Sequence, residues 1–178
     1  ESNNTYGETY NGVQLREKHQ FPDGIDPYII PGDPSSGLCW GIQDRELAKR
    51  GTGDSLVQAY NYRLCLTRDK NNRVNFTRPP GYDPSKYELL RRVIRHRDSL
   101  NRTQNINLYL IMSPMPNGKT DINNNGPFST DGIGMNWAYP EADYDTRDSI
   151  ALEVENYIKG LLFFMSNDSG VTREIRSQ

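Results

Sequence analysis

Between about Asp145 and Ser166 the chain places Ile150, Val154, Tyr157, Ile158, Leu161, Leu162 and Met165 at helical spacing. A stripe that wide cannot face water, so the fold must supply a second layer to cover it. Asp145 and Asp148 suit the positive end of this helix, and Gly170 is expected to stop it, leaving a frayed polar tail. A second helix is expected to open at Asp83-Pro84, an N-cap followed by proline in the first helical position. Ser85 and Glu88 stand at capping-box spacing, and Tyr87, Leu90, Val93, Ile94 and Arg97 carry the helical period towards Ser99.

The covering layer is expected to be a sheet. Ser55–Thr67 alternates with period two: Leu56, Gln58, Tyr60, Tyr62, Leu64 and Leu66 on a core face, and Val57, Ala59, Asn61, Arg63, Cys65 and Thr67 on the other. Arg63 there needs either solvent or an acidic partner. Asn105–Met112 reads as a second strand, ended by Pro114 and Pro116. From Asn117 to Trp137 the chain is rich in Gly, Asn and Asp and reads as a long functional connection. Residues up to Gly53 are broken by Pro-Asp-Gly and Gly-Asp-Pro turns, with a short helix or turn expected over Gln43–Arg50. The expectation is an α+β fold: a small, mainly antiparallel sheet, two main helices and long irregular loops. It forms one domain over 1–178, with an irregular arm at 1–53, a core at 54–170 and a tail at 171–178.

Composition narrows the function classes. Only 34% of the 178 residues are hydrophobic, so the core is small or a partner surface completes it. A net charge of −2 gives no field suited to nucleic acid or anionic membrane. No apolar run approaches the ~20 residues of a membrane-spanning helix. No secretory signal pattern opens the chain, and the first residues, without an initiator Met, read as a cut within a longer protein. Cys39 and Cys65 read as small buried apolar groups, and His19 and His96 lack ligand-spaced partners. Arg91 to Arg97 reads as a solvated basic face ending at a helix C-terminus.

The segment Asn117-Gly118-Lys119-Thr120-Asp121-Ile122-Asn123-Asn124-Asn125-Gly126 packs a cation, an anion, three successive amides and two glycines together. Two readings stand: a polar wall of a ligand pocket, or an Asx-turn-rich loop that satisfies its own backbone. Asp121, Asn123, Asn125 and Gly126 copy the opening of a calcium loop, but Gly132 stands where the bidentate Glu is required. Gly118-Lys119-Thr120 ends like a phosphate loop, but Ser113 replaces its first glycine and Pro114 and Pro116 remove donors. No Gly-x-Gly-x-x-Gly follows an expected strand, so this chain is not expected to form a Rossmann pyrophosphate site.

The run Val57-Gln58-Ala59-Tyr60-Asn61-Tyr62-Arg63-Leu64-Cys65-Leu66-Thr67, then Pro80-Gly81-Tyr82-Asp83-Pro84 leading into Tyr87-Glu88-Leu89-Leu90, resembles a bacterial family of FAD-dependent oxidoreductases. Some members of that family carry a xanthan lyase label. The resemblance continues through Pro116 to Asn125, Gly126-Pro127-Phe128-Ser129-Thr130-Asp131, Tyr139-Pro140-Glu141-Ala142 and Lys159-Gly160-Leu161-Leu162. Pro31 to Gly37 and Tyr6-Gly7-Glu8 fit it as well. It implies that an N-terminal Rossmann element of the parent binds FAD and that the region seen here is the intervening, substrate-side part. FAD is then expected in the parent and none in this chain alone. The implied partners are the FAD-binding domain of the same polypeptide and a small-molecule substrate, with homo-oligomerisation left open.

In that setting Arg63 would meet an anionic substrate group, and Lys119, Asp121, Asn123, Asn124 and Asn125 would line the facing loop. Tyr60, on the other strand face, is assigned to the core. A stand-alone carbohydrate-binding or surface interaction module is the alternative, for which the many Tyr, Asn and Asp residues would serve. A polysaccharide lyase has no Tyr/His/Arg cluster to support it.

Overall fold

The computed structural model describes Val13 and residues 19–178. Tyr6-Gly7-Glu8 lies outside the described residues.

The long apolar stripe becomes α2 (Tyr144–Asn167), which starts where Asp143 accepts a hydrogen bond from the Thr146 amide. It buries Val154, Tyr157, Ile158, Leu161, Leu162, Phe164 and Met165. Its cover is partly α1 (Glu88–Ser99), reached through one 3-10 turn at Pro84–Tyr87 that Asp83 caps by accepting from the Ser85 amide. α1 buries Leu89, Leu90, Val93 and Ile94. The two helices meet through Tyr87, whose ring stacks 5.3 Å from Phe164 and 5.9 Å from Tyr157. Glu88 closes no capping box; its carboxylate pairs with Arg91 and Arg92 instead.

The sheet is three-stranded and wholly antiparallel, in the order β1 (Leu64–Thr67), β3 (Lys119–Asn124), β2 (Leu110–Met115). The central strand is the segment expected to be a loop. Asn117 (φ 63°) and Gly118 (φ 69°) turn the chain back on itself between the paired residues Met115 and Lys119. Asn-Gly favours such positive-φ hairpin turns. Leu64, Met112 and Ile122 are cross-strand neighbours on the helix-facing side, and Ile122 and Leu110 are both 2% exposed.

Other expectations are corrected. The strand expected over Ser55–Thr67 keeps only its last four residues, which pair with Lys119–Ile122 of β3; Asn123 and Asn124 pair with β2 alone. Its earlier part is held by a side chain instead: the buried Asn136 amide donates to the Gln58 carbonyl at 2.8 Å and accepts from the Tyr60 amide at 3.3 Å. Tyr60 is therefore not core; it is 39% exposed and meets Tyr139 edge-on. The strand expected over Asn105–Met112 begins later, after a 3-10 turn at Ile106–Leu108 capped by Asn105. It runs through Pro114, which an edge strand tolerates. Gln43–Arg50 forms no helix. The tail is not frayed: Val171 and Ile175 are buried and Arg173–Arg176 forms α3.

Cys39 is buried but Cys65 is exposed, since its strand face is uncovered. Arg91 and Arg92 are not solvated. Arg91 binds Asp168, and Arg92 donates to the carbonyls of Asp26, Tyr28 and Ile29, fastening the arm to α1.

Candidate functional site

Strand alternation sorts the polar segment onto two sides. Lys119, Asp121 and Asn123 lie on the face turned away from the helices, beside Arg63, Cys65 and Thr67 on one flank and Ile111, Ser113 and Met115 on the other. Arg63 reaches across to Asp121, and the two form an ion pair with side chains 61% and 30% exposed. Thr67 ties this face to the turn by donating to the Gly118 carbonyl at 3.0 Å. Lys119 has no charged or hydrogen-bonding side-chain partner among the described residues. Asn123 accepts from the Asn124 amide at 2.9 Å, which leaves its NH2 group available. Four of the six expected site residues thus share one uncovered surface.

The other two do not. Asn124 points to the opposite face and donates to Asp131, which also accepts from Asn61 at 2.7 Å. Asn125 spends its side-chain amide on the Asn107 carbonyl, and its backbone amide on Tyr109 at 3.0 Å. Both therefore brace the chain's own backbone and side chains. Gly126 has a packing reason of the same kind: a Cβ there would lie 2.4 Å from the Leu108 carbonyl oxygen. The calcium-loop spacing is likewise dissolved, since its first residues form a strand. Among the described residues no group of three or more His, Cys, Asp or Glu could hold a metal ion. Thr67 joins this face through the pairing of β1 with β3, and Ser113 because the Asn-Gly hairpin brings β2 and β3 into register.

Two cavities open along α2. One, about 310 Å³, lies among Tyr82, Asp83, Lys86, Tyr87 and the α2 residues Glu153 and Asn156. Burial raises the pKa of the Tyr87 and Tyr157 hydroxyls, which stay protonated and donate to the Tyr157 and Ser129 carbonyls. Neither is free to act as a base. The other cavity, about 650 Å³, lies between the sheet and the C-terminal end of α2.

A flavin dinucleotide needs a place for its pyrophosphate, usually a helix N-terminus fed by a strand and a glycine-rich turn. The described residues do not fit one. The sheet is entirely antiparallel. Asp143 occupies the N-terminus of α2 and Asp83 that of the turn leading into α1. Bonds from Thr146 and Ser85 hold these carboxyls below the ordinary carboxylate range, so both ends carry negative charge. The close approaches at Gly126, Gly132, Gly160 and Gly170 are filled by the chain's own atoms.

No helix among the described residues is long and apolar enough to cross a membrane. No curated protein and no solved structure gives a match. A family model described as FAD dependent oxidoreductase matches residues 1–174, from the N-terminal arm through both helices and the whole sheet. Over nearly its full length, then, the chain belongs to the FAD dependent oxidoreductase family.

Proposed function

We propose that this chain is the substrate-side region of a FAD-dependent oxidoreductase and works beside the FAD-binding domain of the same polypeptide. The observation that carries this reading is the combination of family membership with an antiparallel sheet whose uncovered outer face carries Arg63, Lys119, Asp121 and Asn123. In the parent, the flavin supplies the redox chemistry from its own domain. This chain supplies the wall that binds and orients. Arg63, held in place by Asp121, presents a planar fork to an anionic or carbonyl group. Lys119 adds a point charge from the next strand, and Asn123 adds a neutral donor. On its own the chain is expected to be inactive, because it brings no second reactant to that surface.

The test is made on the full-length parent. Its purified form is expected to show flavin absorbance, and Lys119→Ala is expected to raise KM without loss of bound flavin. A parent that binds no flavin after reconstitution would overturn the reading. Unchanged turnover and KM in Lys119→Ala and Asp121→Ala would remove this face from the site.

A further inference from the structure

The larger cavity, about 650 Å³, lies mainly on the helix side of the sheet and reaches round the β1 edge to Cys65 and Thr67. Its lining is about half apolar and half polar, the apolar part drawn from Leu66, Leu110 and Met112 of the sheet, Leu162 and Met165 of α2, and Ile175 of α3. Its size lies within the roughly 300–1,000 Å³ range of small-molecule sites.

The charge of its lining is one-sided. Three arginines, Arg68, Arg73 and Arg176, contribute to it, and no Asp or Glu side chain does. The whole chain is the reverse, with 23 acidic residues against 21 Lys and Arg. Four arginines elsewhere in the fold, Arg63, Arg91, Arg92 and Arg147, bind carboxylates or carbonyl oxygens. Arg68, Arg73 and Arg176 have no side-chain hydrogen bond or ion pair with any described residue. Asn75 and Asn167 add neutral donors to the lining. Val74, 89% exposed, and Phe76, 38% exposed, present further apolar surface from the loop that carries Arg73.

We infer that this cavity binds a small organic carboxylate with an apolar body. The body replaces water against the Leu, Met and Ile walls, and the carboxylate meets unpaired guanidiniums that match its geometry. A neutral ligand would leave those cations unused, and a cationic one would be repelled. None of Arg63, Lys119, Asp121 and Asn123 lines the cavity, so it stands or falls separately from the role proposed for them.

Isothermal titration of the 178-residue chain with decanoate tests it, with decanol as the neutral comparator. Saturable binding of decanoate, at least tenfold tighter than decanol, is the expected result. The triple substitution R68Q/R73Q/R176Q is expected to weaken decanoate binding at least tenfold while leaving the circular dichroism spectrum unchanged. The charge-matched triple R50Q/R95Q/R102Q, on exposed residues outside the cavity, is expected to leave it within twofold. Equal binding of decanol, equal weakening by the two triples, or no saturation at about 1 mM would overturn the assignment.

Discussion

Replacing Gly160 with alanine is expected to destabilise the chain, although alanine is the better helix former. In α2 the exchange would gain about 1 kcal/mol from propensity alone. The added methyl carbon, however, would lie 2.1 Å from the Tyr87 hydroxyl oxygen, 3.1 Å from Tyr87 Cζ and 3.3 Å from a Tyr82 ring carbon. Tyr87 cannot swing aside. It is 2% exposed, its ring is stacked between neighbours, and its hydroxyl donates to the Tyr157 carbonyl at 2.9 Å. Overpacking costs about 1–3 kcal/mol, and losing a buried hydrogen bond about 1–3 kcal/mol more. After subtracting the propensity gain, the net loss is on the order of 3 kcal/mol.

Urea unfolding with a fitted m-value measures this loss, and at roughly 2–4 °C per kcal/mol the melting temperature is expected to fall by about 6–12 °C. A second arm isolates the cause. Tyr87→Phe removes the hydroxyl, leaving Cζ as the nearest obstacle at 3.1 Å, which a shift of a few tenths of an ångström relieves. Gly160→Ala in that background is expected to cost under about 1 kcal/mol, a coupling of roughly 2 kcal/mol between the sites. A Gly160→Ala chain as stable as the parent sequence, or additive single and double substitutions, would refute this reasoning.

Asn136→Ala is expected to cost about 1–3 kcal/mol, because the fully buried amide is the bond partner of both Gln58 and Tyr60; faster proteolysis within 55–63 would accompany the loss. Native thiol labelling is expected to modify Cys65 quickly and Cys39 only on unfolding, since Cys39 is 6% exposed and burial raises its thiol pKa. For Asp168, burial raises the carboxyl pKa, but the Arg91 bond and the Gly170 amide outweigh it and leave the pKa below 3.8. A depressed folded pKa contributes stability in full above the unfolded value and loses it as pH falls through the folded one. Asp168→Asn is therefore expected to lower stability at pH 7 and to flatten the acid limb below about pH 4, read from chemical denaturation at several pH values.

The elements legible in the sequence are those set by local rules. Asp83-Pro84 marks a helix entry whatever surrounds it, and the stripe from Ile150 to Met165 exceeds any other use for such residues. The strands depended on pairing, which has no local signature. Gln58 to Tyr62 alternates as well as Leu64 to Thr67 does, yet only the latter meets a partner strand. The segment Lys119–Asn124 has the poor β propensity of two asparagines and an aspartate, and position at the sheet centre overrides it. Asn117-Gly118 after Leu110–Met112 is a local hairpin signal, but Pro114 and Pro116 just before it suggested a break instead. The candidate site shared that fate. Read as a loop, Lys119, Asp121, Asn123, Asn124 and Asn125 looked equivalent; read as a strand, alternation separates Asp121 and Asn123 from Asn124.

That separation also bears on what the Arg63–Asp121 pair is for. With side chains 61% and 30% exposed, the pair contributes at most about 1 kcal/mol to stability. Nor is it needed for register, which Leu64, Met112 and Ile122 fix from the buried side. On the proposed reading, it holds a long, flexible guanidinium at one position on an otherwise unrestrained face and lowers the entropy that group would lose on engaging a ligand. Asp121→Asn is therefore expected to change unfolding free energy by under about 0.5 kcal/mol while raising KM several-fold in the full-length parent. Restoring the carboxylate as Asp121→Glu is expected to recover part of that affinity, since the longer side chain still reaches Arg63. A loss of more than about 2 kcal/mol of stability in Asp121→Asn would make the pair a structural clamp, because an exposed pair of this kind cannot supply that much by itself.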